Sequence, residues 1–198
     1  MAVVPEIGLL GGSFDPVHRA HTALALAALD ALSLDHVELL PAARPWQRSR
    51  LSAGPTHRLR MLEIACRGQA RLRVNPLELQ RTGPTYTIDT LMALPQGPRY
   101  TWIMGADQLA NFCTWHDWRG IIKRVQLAVA QRPGTSLTTP PVLAKALPPG
   151  ALRLIPFAAR NVSATQIRES LAAGDPVDDM LDPGVLDYIR AHQLYRHR

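Results

Sequence analysis

Cysteine and lysine are both scarce in this sequence. Its 198 residues include only two cysteines, Cys66 and Cys113. Because these stand alone and form no Cys-x-x-Cys pair, they indicate neither a disulfide framework nor a structural zinc site, and a reducing cytoplasm is the expected compartment. The only lysines are Lys123 and Lys145, so arginine supplies nearly all of the positive charge, which suits bidentate contacts to phosphate groups.

Long apolar runs and a secretory leader are also lacking. The longest apolar stretch, residues 22–32, contains Asp30 and is too short to cross a bilayer. The segment before the apolar run 7–10 has no basic region and carries Glu6, unlike a signal peptide. We therefore expect a soluble, cytoplasmic protein with no membrane partner.

Length and charge set broad limits on the organisation of the chain. A chain of this length favours one domain, residues 1–198, with a helical portion from about residue 163. The net charge is +6 at pH 7 and the pI is about 10.0. This charge fits an arginine-biased composition and also fits loose binding to nucleic acid, so it does not decide between them.

Residues 11–21 form the most informative stretch, Gly-Gly-Ser-Phe-Asp-Pro-Val-His-Arg-Ala-His. An apolar run, two glycines and an alanine- and leucine-rich segment predict a strand, a tight turn and a helix. Gly11 and Gly12 are expected to turn with positive φ and to leave room for a ligand against main-chain N–H groups. Since His18 and His21 lie about 60° apart around a helix, both imidazoles can face one anionic ligand at the helix start.

Each part of this stretch also has a plainer interpretation. A glycine pair after a strand is more often only a turn, and this pair matches neither the Gly-x-Gly-x-x-Gly pattern nor the Walker pattern. A His-x-x-His pair is usually a surface or capping feature. It lacks the glutamate of the His-Glu-x-x-His zinc motif, so metal ligation is the poorer interpretation.

Strand and helix patterns alternate about six times along the chain. This alternation predicts a doubly wound parallel α/β sheet, Rossmann-like, whose ligand crevice lies at the carboxyl ends of the strands. After the strand 7–10 we predict strands at residues 37–40, 72–74, 99–104, 126–131 and 151–156, and helices at residues 22–32 and 56–67, after a Thr87 N-cap, after Ser163 and from Pro183.

Two further elements are expected at the crevice beside residues 11–21. Asp107 follows the strand 99–104 and so lies on the ligand side. Ser163 and Gln166 form a capping-box pattern that capping alone would explain. Thr165 and Arg168 add groups that could hold an anion at the same helix start.

Three other segments are less specific in what they indicate. The loop 42–55 contains Arg44, Arg48 and Arg50 and could meet phosphates, although a solvated loop is the commoner case. The aromatic residues within 112–118 are more often core than a stacking platform. Residues 132–150 are rich in proline, threonine and glycine and indicate a peripheral insertion.

Taken as one string, residues 11–21 resemble the signature of the nucleotidylyltransferases, Gly-Gly-Ser/Thr-Phe-Asp-Pro-x-His-x-Gly-His. Ala20 replaces the usual glycine, so ordinary helical backbone is expected there. Residues 78–91, Glu-Leu-Gln-Arg-Thr-Gly-Pro-Thr-Tyr-Thr-Ile-Asp-Thr-Leu, resemble the block that marks bacterial nicotinate-nucleotide adenylyltransferases. So do residues 105–107 with Trp115, and residues 162–168, so that the resemblance covers most of the chain in the right order.

The resemblance implies that ATP and nicotinate mononucleotide give deamido-NAD and pyrophosphate, with Mg²⁺ carried mainly by the substrate phosphates and no metal ligands from the protein. It implies a monomer or small homo-oligomer and no nucleic-acid partner. It assigns catalysis to His18, His21 and Arg168. It assigns ATP binding to Gly11, Gly12, Ser13, Phe14, His18, His21, Gly105, Asp107, Ser163, Thr165 and Arg168, and binding of the mononucleotide to Gly12, Ser13, Thr85, Tyr86, Thr87, Asp107, Trp115 and His116.

Two classes of alternative stay open at this point. A sister reaction could use nicotinamide mononucleotide, pantetheine phosphate or glycerol phosphate as acceptor, although residues 85–91 argue against the last two. The other alternative is a non-catalytic, arginine-rich protein that binds nucleotides or nucleic acid, whose mark would be binding that depends steeply on salt.

Overall fold

One parallel sheet forms the centre of the computed structural model, which describes residues 4–45, 51–131, 134, 136–158 and 162–196. All pairings within it are parallel, and the strand order is β3-β2-β1-β4-β5-β6. The prediction of a doubly wound sheet is therefore confirmed. The strands are β1 (Glu6–Gly12), β2 (His36–Pro41), β3 (Leu72–Val74), β4 (Arg99–Gly105), β5 (Gln126–Gln131) and β6 (Leu152–Pro156).

The strand order reverses direction between β1 and β4. The chain winds outward from β1 through β2 to β3 and then returns to the other side of β1 as β4. In such sheets the crossover helices leave the central strands on opposite faces, which opens a crevice at their carboxyl ends. The ends of β1 and β4, at Gly12 and Gly105, are therefore where a ligand site is expected.

Helices cover both faces of the sheet. Most begin within a few residues of the predicted positions, but α1 starts at Arg19 rather than at residue 22, with His18 as its N-cap, and Ala20 is helical as expected. The helices are α1 (Arg19–Leu32), α2 (Pro55–Ala65), α3 (Thr87–Ala93), α4 (Ala106–Ala110), α5 (Trp118–Ile122), α6 (Pro141–Ala146), α7 (Ala164–Ala173) and α8 (Pro183–Ala191), with short 3₁₀-helices at Leu77–Gln80 and Phe112–Thr114.

Alternating side chains of the strands divide the interior into two apolar cores. Leu10 and Ile103 face the first core, together with apolar residues of α1, α2, α7 and α8. Leu9 and Trp102 face the second core, together with apolar residues of α3 to α6. A sheet buried on both faces needs apolar residues at consecutive positions, which is why its strands read as continuous apolar runs. No helix among the described residues is long and apolar enough to span a membrane.

Candidate functional site

The glycine pair after the first apolar run lies inside β1 and does not form the turn. Gly11 and Gly12 pair with Leu40 and Pro41 of β2, and neither has a positive φ. The expectation of a positive-φ turn at these glycines is therefore wrong. The left-handed residue is Phe14, with φ of 47°.

Close packing explains why glycine occupies these two positions. A Cβ atom on Gly11 would lie 2.8 Å from the Trp102 indole, and one on Gly12 would lie 3.1 Å from the Phe14 ring. Real Cβ atoms almost never come as close as the first of these distances. The glycines thus let two aromatic rings approach the end of β1, and they leave its main chain accessible from the crevice.

Phe14 shapes the turn from below. Its side chain is fully buried in the first core, and its ring meets the His21 imidazole edge-on with 4.9 Å between centroids. The following peptide bond, between Asp15 and Pro16, is cis. Because its side chain is buried, Phe14 can offer ATP only main-chain groups.

His18 and His21 lie together at the start of α1. Their rings stack with centroids 3.7 Å apart, and the main-chain N–H of His18 donates to Nδ1 of His21 at 3.2 Å. The prediction that both imidazoles share one side of the helix start is confirmed. Burial lowers the pKa of His18 to about 4, so this side chain is neutral at pH 7 and offers a hydrogen bond rather than a charge.

A cavity of about 380 Å³ opens at the carboxyl ends of β1 and β4. It brings together predicted site residues from three separate blocks of sequence. These are Gly11, Gly12, Ser13, His21, Thr85, Thr87, Gly105, Asp107 and Trp115. Leu10, Leu24, Ala42, Pro45, Glu78, Trp102 and Gln108 complete the wall.

The remaining predicted site residues do not line this cavity. Tyr86 and His116 lie against each other, with ring centroids 4.5 Å apart, and His116 is exposed. Phe14 and His18 are both buried, and His18 is the N-cap of α1. Ser163, Thr165 and Arg168 are outside the wall as well, at the start of α7.

Trp115 forms an aromatic wall of the cavity. Its ring lies 5.1 Å from Phe112 and 6.2 Å from Trp102, centroid to centroid. Phe112 and Trp118 are buried in the second core, as expected for most of this aromatic segment. Trp115 is only partly buried, so the segment supplies both core and cavity wall.

The start of α3 differs from the prediction in one detail. Thr87 is the first helical residue, and Tyr86 is the N-cap, so the prediction of a Thr87 N-cap is wrong. Tyr86 still has extended backbone, because Thr85 is tied to the neighbouring loop. The Thr85 N–H donates to the Arg44 carbonyl at 2.9 Å, and the Thr85 hydroxyl accepts from the Arg44 N–H at 3.1 Å.

Side-chain contacts bring the start of α7 to the turn after β1. Ser163 is the N-cap as predicted, and its hydroxyl accepts from the Gln166 N–H at 3.2 Å. The guanidinium of Arg168 donates to the Asp15 carbonyl at 2.7 Å and to the Thr165 hydroxyl at 3.2 Å. Residues 153 positions apart in the chain thus meet at the turn after β1.

Arg58 and Asp15 were not identified as site residues from the sequence, yet both hold the turn in place. Arg58 is buried, and its guanidinium donates to the Ser13 carbonyl at 2.8 Å. Burial lowers the pKa of Arg58, and the nearby Asp15 carboxylate opposes that shift. The one available signal is spacing, because Arg58 precedes the buried Met61 and Leu62 by three and four positions on α2.

Glu78 is a buried carboxyl group in the cavity wall. Burial raises its pKa, while the Thr90 hydroxyl, which donates to it at 2.7 Å, and Arg81 act in the opposite direction. In the sequence, Glu78 stood out only as the first residue of the block 78–91. Of the basic loop, Arg44 is in place beside Thr85, whereas Arg48 and Arg50 lie outside the described residues.

Comparisons with known proteins identify relatives of this chain. Residues 9–170 match the family model described as "Cytidylyltransferase-like". A protein of Bordetella pertussis named "Probable nicotinate-nucleotide adenylyltransferase" is 55% identical over 195 residues, which are 98% of this chain and 99% of that protein. A protein of the same name from Neisseria meningitidis is 38% identical over 198 residues, covering 96% and 98% of the two chains.

A solved structure has the same fold. The nicotinic acid mononucleotide adenylyltransferase of Plasmodium falciparum, complexed with NaAD, superposes with a TM-score of 0.76 over 96% of this chain and 97% of that one. Its sequence is 19% identical, so this likeness concerns the fold.

Proposed function

Since the chain belongs to the nicotinate-nucleotide adenylyltransferase family, we propose that it transfers the adenylyl group of ATP to nicotinate mononucleotide, giving deamido-NAD and pyrophosphate for NAD biosynthesis. The observation that carries the proposal is the cavity at the end of β1 and β4, where Ser13, Thr85 and Asp107 come together from separate blocks of sequence. A cavity of about 380 Å³ is of the size that small-molecule sites have.

The reaction needs no nucleophile or base from the protein. The phosphate of the mononucleotide is already an anion, and one of its oxygens attacks the α-phosphorus of ATP. A new P–O bond forms, the bond from the α-phosphorus to the bridging oxygen breaks, and its electron pair leaves with pyrophosphate. Catalysis then depends on positioning and on stabilising the charge that moves onto the leaving group.

The residues beside the turn suit those two tasks. His18 and His21 would donate hydrogen bonds to the α- and β-phosphates from their shared position at the start of α1. Arg168, with Ser163 and Thr165, would hold the departing pyrophosphate at the start of α7. Main-chain N–H groups from Gly11 to Phe14 would bind phosphate oxygens at the end of β1.

The cavity wall suits the two nucleosides. Asp107 is exposed at the first turn of α4, beside Gly105, and would accept hydrogen bonds from ribose hydroxyls. Trp115 would stack on the pyridine ring. Thr85 and Thr87, at the start of α3, would face the pyridine carboxylate, while Tyr86 and His116 would border the same site from outside the wall.

Mg²⁺ is proposed as the cofactor. The ion favours phosphate oxygens and water together with one or two carboxylates. Asp107 offers an exposed carboxylate on the cavity, whereas the Glu78 carboxyl is bonded to Thr90. This donor set fits an ion held mainly by the substrate phosphates, where it would neutralise part of their charge.

Location and assembly complete the proposal. Both Cys66 and Cys113 are free thiols, in keeping with a cytoplasmic location. We propose a monomer or small homo-oligomer without a nucleic-acid partner, and light scattering would test the oligomeric state. Binding of RNA or DNA with a steep salt dependence would support the non-catalytic alternative.

Product analysis with ATP, Mg²⁺ and each acceptor tests the function directly. We expect deamido-NAD and pyrophosphate from nicotinate mononucleotide, and no product from pantetheine phosphate or glycerol phosphate. We also expect kcat/KM for the acid to exceed that for the amide by at least ~10-fold, about 1.4 kcal/mol. N–H groups at the start of α3 can satisfy carboxylate oxygens but would face the donor NH₂ of the amide.

Nicotinamide mononucleotide is the second candidate substrate, and the position of one side chain favours it. The Glu78 carboxyl lines the cavity and could accept a hydrogen bond from the amide NH₂. Equal kcat/KM values, or a preference for the amide, would overturn the choice of the acid. Glu78→Gln then separates the two cases, because it should lower activity only with a substrate whose NH₂ depends on that carboxylate.

A further inference from the structure

The segment that follows α8, residues 192–196, ends against the turn after β1. The hydroxyl of Tyr195 donates to the Asp15 carboxylate at 2.7 Å. Leu194 and Tyr195 both pack against the first core. Gln193 and Tyr195 have φ values of 52° and 64°, a backbone region that costs free energy for residues other than glycine, so these contacts must hold the segment in place.

Asp15 joins three parts of the chain through one buried carboxylate that is 2% exposed. Its Oδ2 accepts from the Ser52 N–H at 2.6 Å, and its Oδ1 accepts from the Ala53 N–H at 3.0 Å as well as from Tyr195. A buried carboxylate is tolerated only when such donors surround it. Burial and the adjacent Asp15 both raise the pKa of Tyr195, so its phenol keeps the proton that it donates.

The same residue is coupled to the proposed phosphate site through its main chain. The Asp15 carbonyl accepts the hydrogen bond from Arg168, and His18 follows three residues later in the chain. A displacement of Asp15 would therefore move Arg168 and His18 together. The pyridine side has other supports, because Thr85 is bound to Arg44 and Trp115 packs on Phe112.

We propose that Tyr195 is a positioning residue for ATP: through Asp15, it sets the relative position of His18 and Arg168 around the triphosphate. This inference rests on the proposed function for its catalytic consequence. Small displacements of groups that act on a transition state have large effects, since a shift of about 1 Å can cost about 10²-fold in rate. Loss of a single supporting hydrogen bond should cost less than that.

Tyr195→Phe tests the proposal, because it removes one hydroxyl and keeps the ring in the core. We expect the Kd of ATP, measured by calorimetry, to rise about tenfold, which corresponds to about 1.4 kcal/mol. We expect kcat to fall as well, while KM for the mononucleotide stays within about twofold of the wild-type value. If Tyr195 only stabilised the fold, the variant would weaken the binding of ATP and of the mononucleotide alike.

Tyr188→Phe is the matched control. Tyr188 lies on α8, and its hydroxyl bonds to Nδ1 of His57 at 3.0 Å instead of to Asp15. We expect this variant to bind ATP and to turn over like the wild type. Thermal unfolding of both variants measures how far the loss of each hydroxyl lowers the Tm.

Three results would overturn the positioning role. They are an unchanged ATP Kd in Tyr195→Phe, an equal loss in Tyr188→Phe, and an equal loss of affinity for both substrates. If the wild type made no deamido-NAD, the proposed function would fail. The comparison of ATP Kd values would still decide the role of Tyr195, because it needs no turnover.

Discussion

Burial lowers the pKa of His18 to about 4, against an ordinary value of 6.5. The side chain is therefore neutral near pH 7, and under the proposed function it would offer phosphates a hydrogen bond while Arg168 and the helix starts would supply the positive charge. His21 stacks on it and is itself held by the His18 N–H. The pair is thus preorganised, which is the property that stabilises a transition state without reorganisation.

We expect His18→Ala and His21→Ala each to lower turnover at least ~10²-fold, the usual effect of losing one preorganised donor. Steady-state kinetics with nicotinate mononucleotide measures the loss, and circular dichroism checks the fold. His36→Ala is the control, because His36 is also a buried histidine but begins β2 at the opposite end from the crevice. Near-native turnover in a folded His18 or His21 variant would refute the role of that residue.

The low pKa of His18 also makes stability depend on pH. The folded state disfavours the charged imidazole, so the contribution of neutral His18 is complete above pH 6.5 and is lost as the pH falls toward 4. The loss amounts to about 3 kcal/mol. His18→Gln cannot titrate, so the free energy of unfolding of the wild type, measured with urea, should fall relative to this variant between pH 6.5 and 4.5. A difference that stays constant with pH would contradict the prediction.

Sequence patterns could predict residues whose signal is local, and they failed where the cause is distant. The stacked histidines and the Ser163 N-cap follow from spacing within one turn of helix. Asp15, Arg58 and Tyr195 meet only because segments far apart in the chain are packed together. The prediction of a turn at Gly11 failed for the same reason. Glycine is needed there because a Cβ atom would clash with the Trp102 indole, which belongs to another strand.

At the scale of elements, the start of α7 and the turn after β1 act as one unit. Arg168 connects them, because its guanidinium bonds both to Thr165 on its own helix and to the Asp15 carbonyl. Ser163 and the two histidines lie at the N-terminal ends of their helices, where the dipole favours an anion. A polyphosphate between them would be held from two sides.

We expect Arg168→Ala to raise KM for ATP more than KM for the mononucleotide. A charge-assisted contact is worth roughly 1.5–3 kcal/mol, or about 10- to 150-fold in binding. Arg60→Ala is the control, because Arg60 is exposed on α2 and pairs with Glu63. A selective rise in KM for the mononucleotide would reverse the proposed orientation of the two substrates.

The sequence predicted the order of the strands and helices better than it predicted the residues at which they begin and end. Alternation of apolar runs and helical segments predicted the parallel sheet, and each predicted strand occurs within about two residues of its place at either end. The N-cap of α3 shifted from Thr87 to Tyr86, because pairing of Thr85 with Arg44 keeps the chain extended up to the helix. Such a tertiary constraint leaves no local signal.

At the scale of the whole molecule, both cores depend on the same strands. Leu9 and Leu10 are neighbours on β1, yet each packs into a different core. If one layer of helices unfolded, it would therefore expose one face of the sheet on which the other layer also packs. We therefore expect the two cores to unfold together, as a single cooperative domain.

We expect thermal unfolding in a single transition, also when the α8 side is weakened. Leu186→Ala removes a buried side chain of the first core, which should cost about 2–5 kcal/mol and lower the Tm of the entire chain by roughly 5–15 °C. Met92→Ala is the control, because Met92 is 62% exposed, and a surface change should cost less than about 0.5 kcal/mol. Two separate transitions in calorimetry would contradict a single cooperative domain.

The perpendicular pair of indoles in the cavity wall gives the molecule an internal optical probe. Trp102 and Trp115 cross at 89° and both line the cavity, and Trp115 is the ring proposed to stack on the pyridine. Emission from an indole changes when an electron-poor aromatic ring stacks against it. Occupancy of the pyridine side should thus be visible as quenching of the intrinsic fluorescence, without a label.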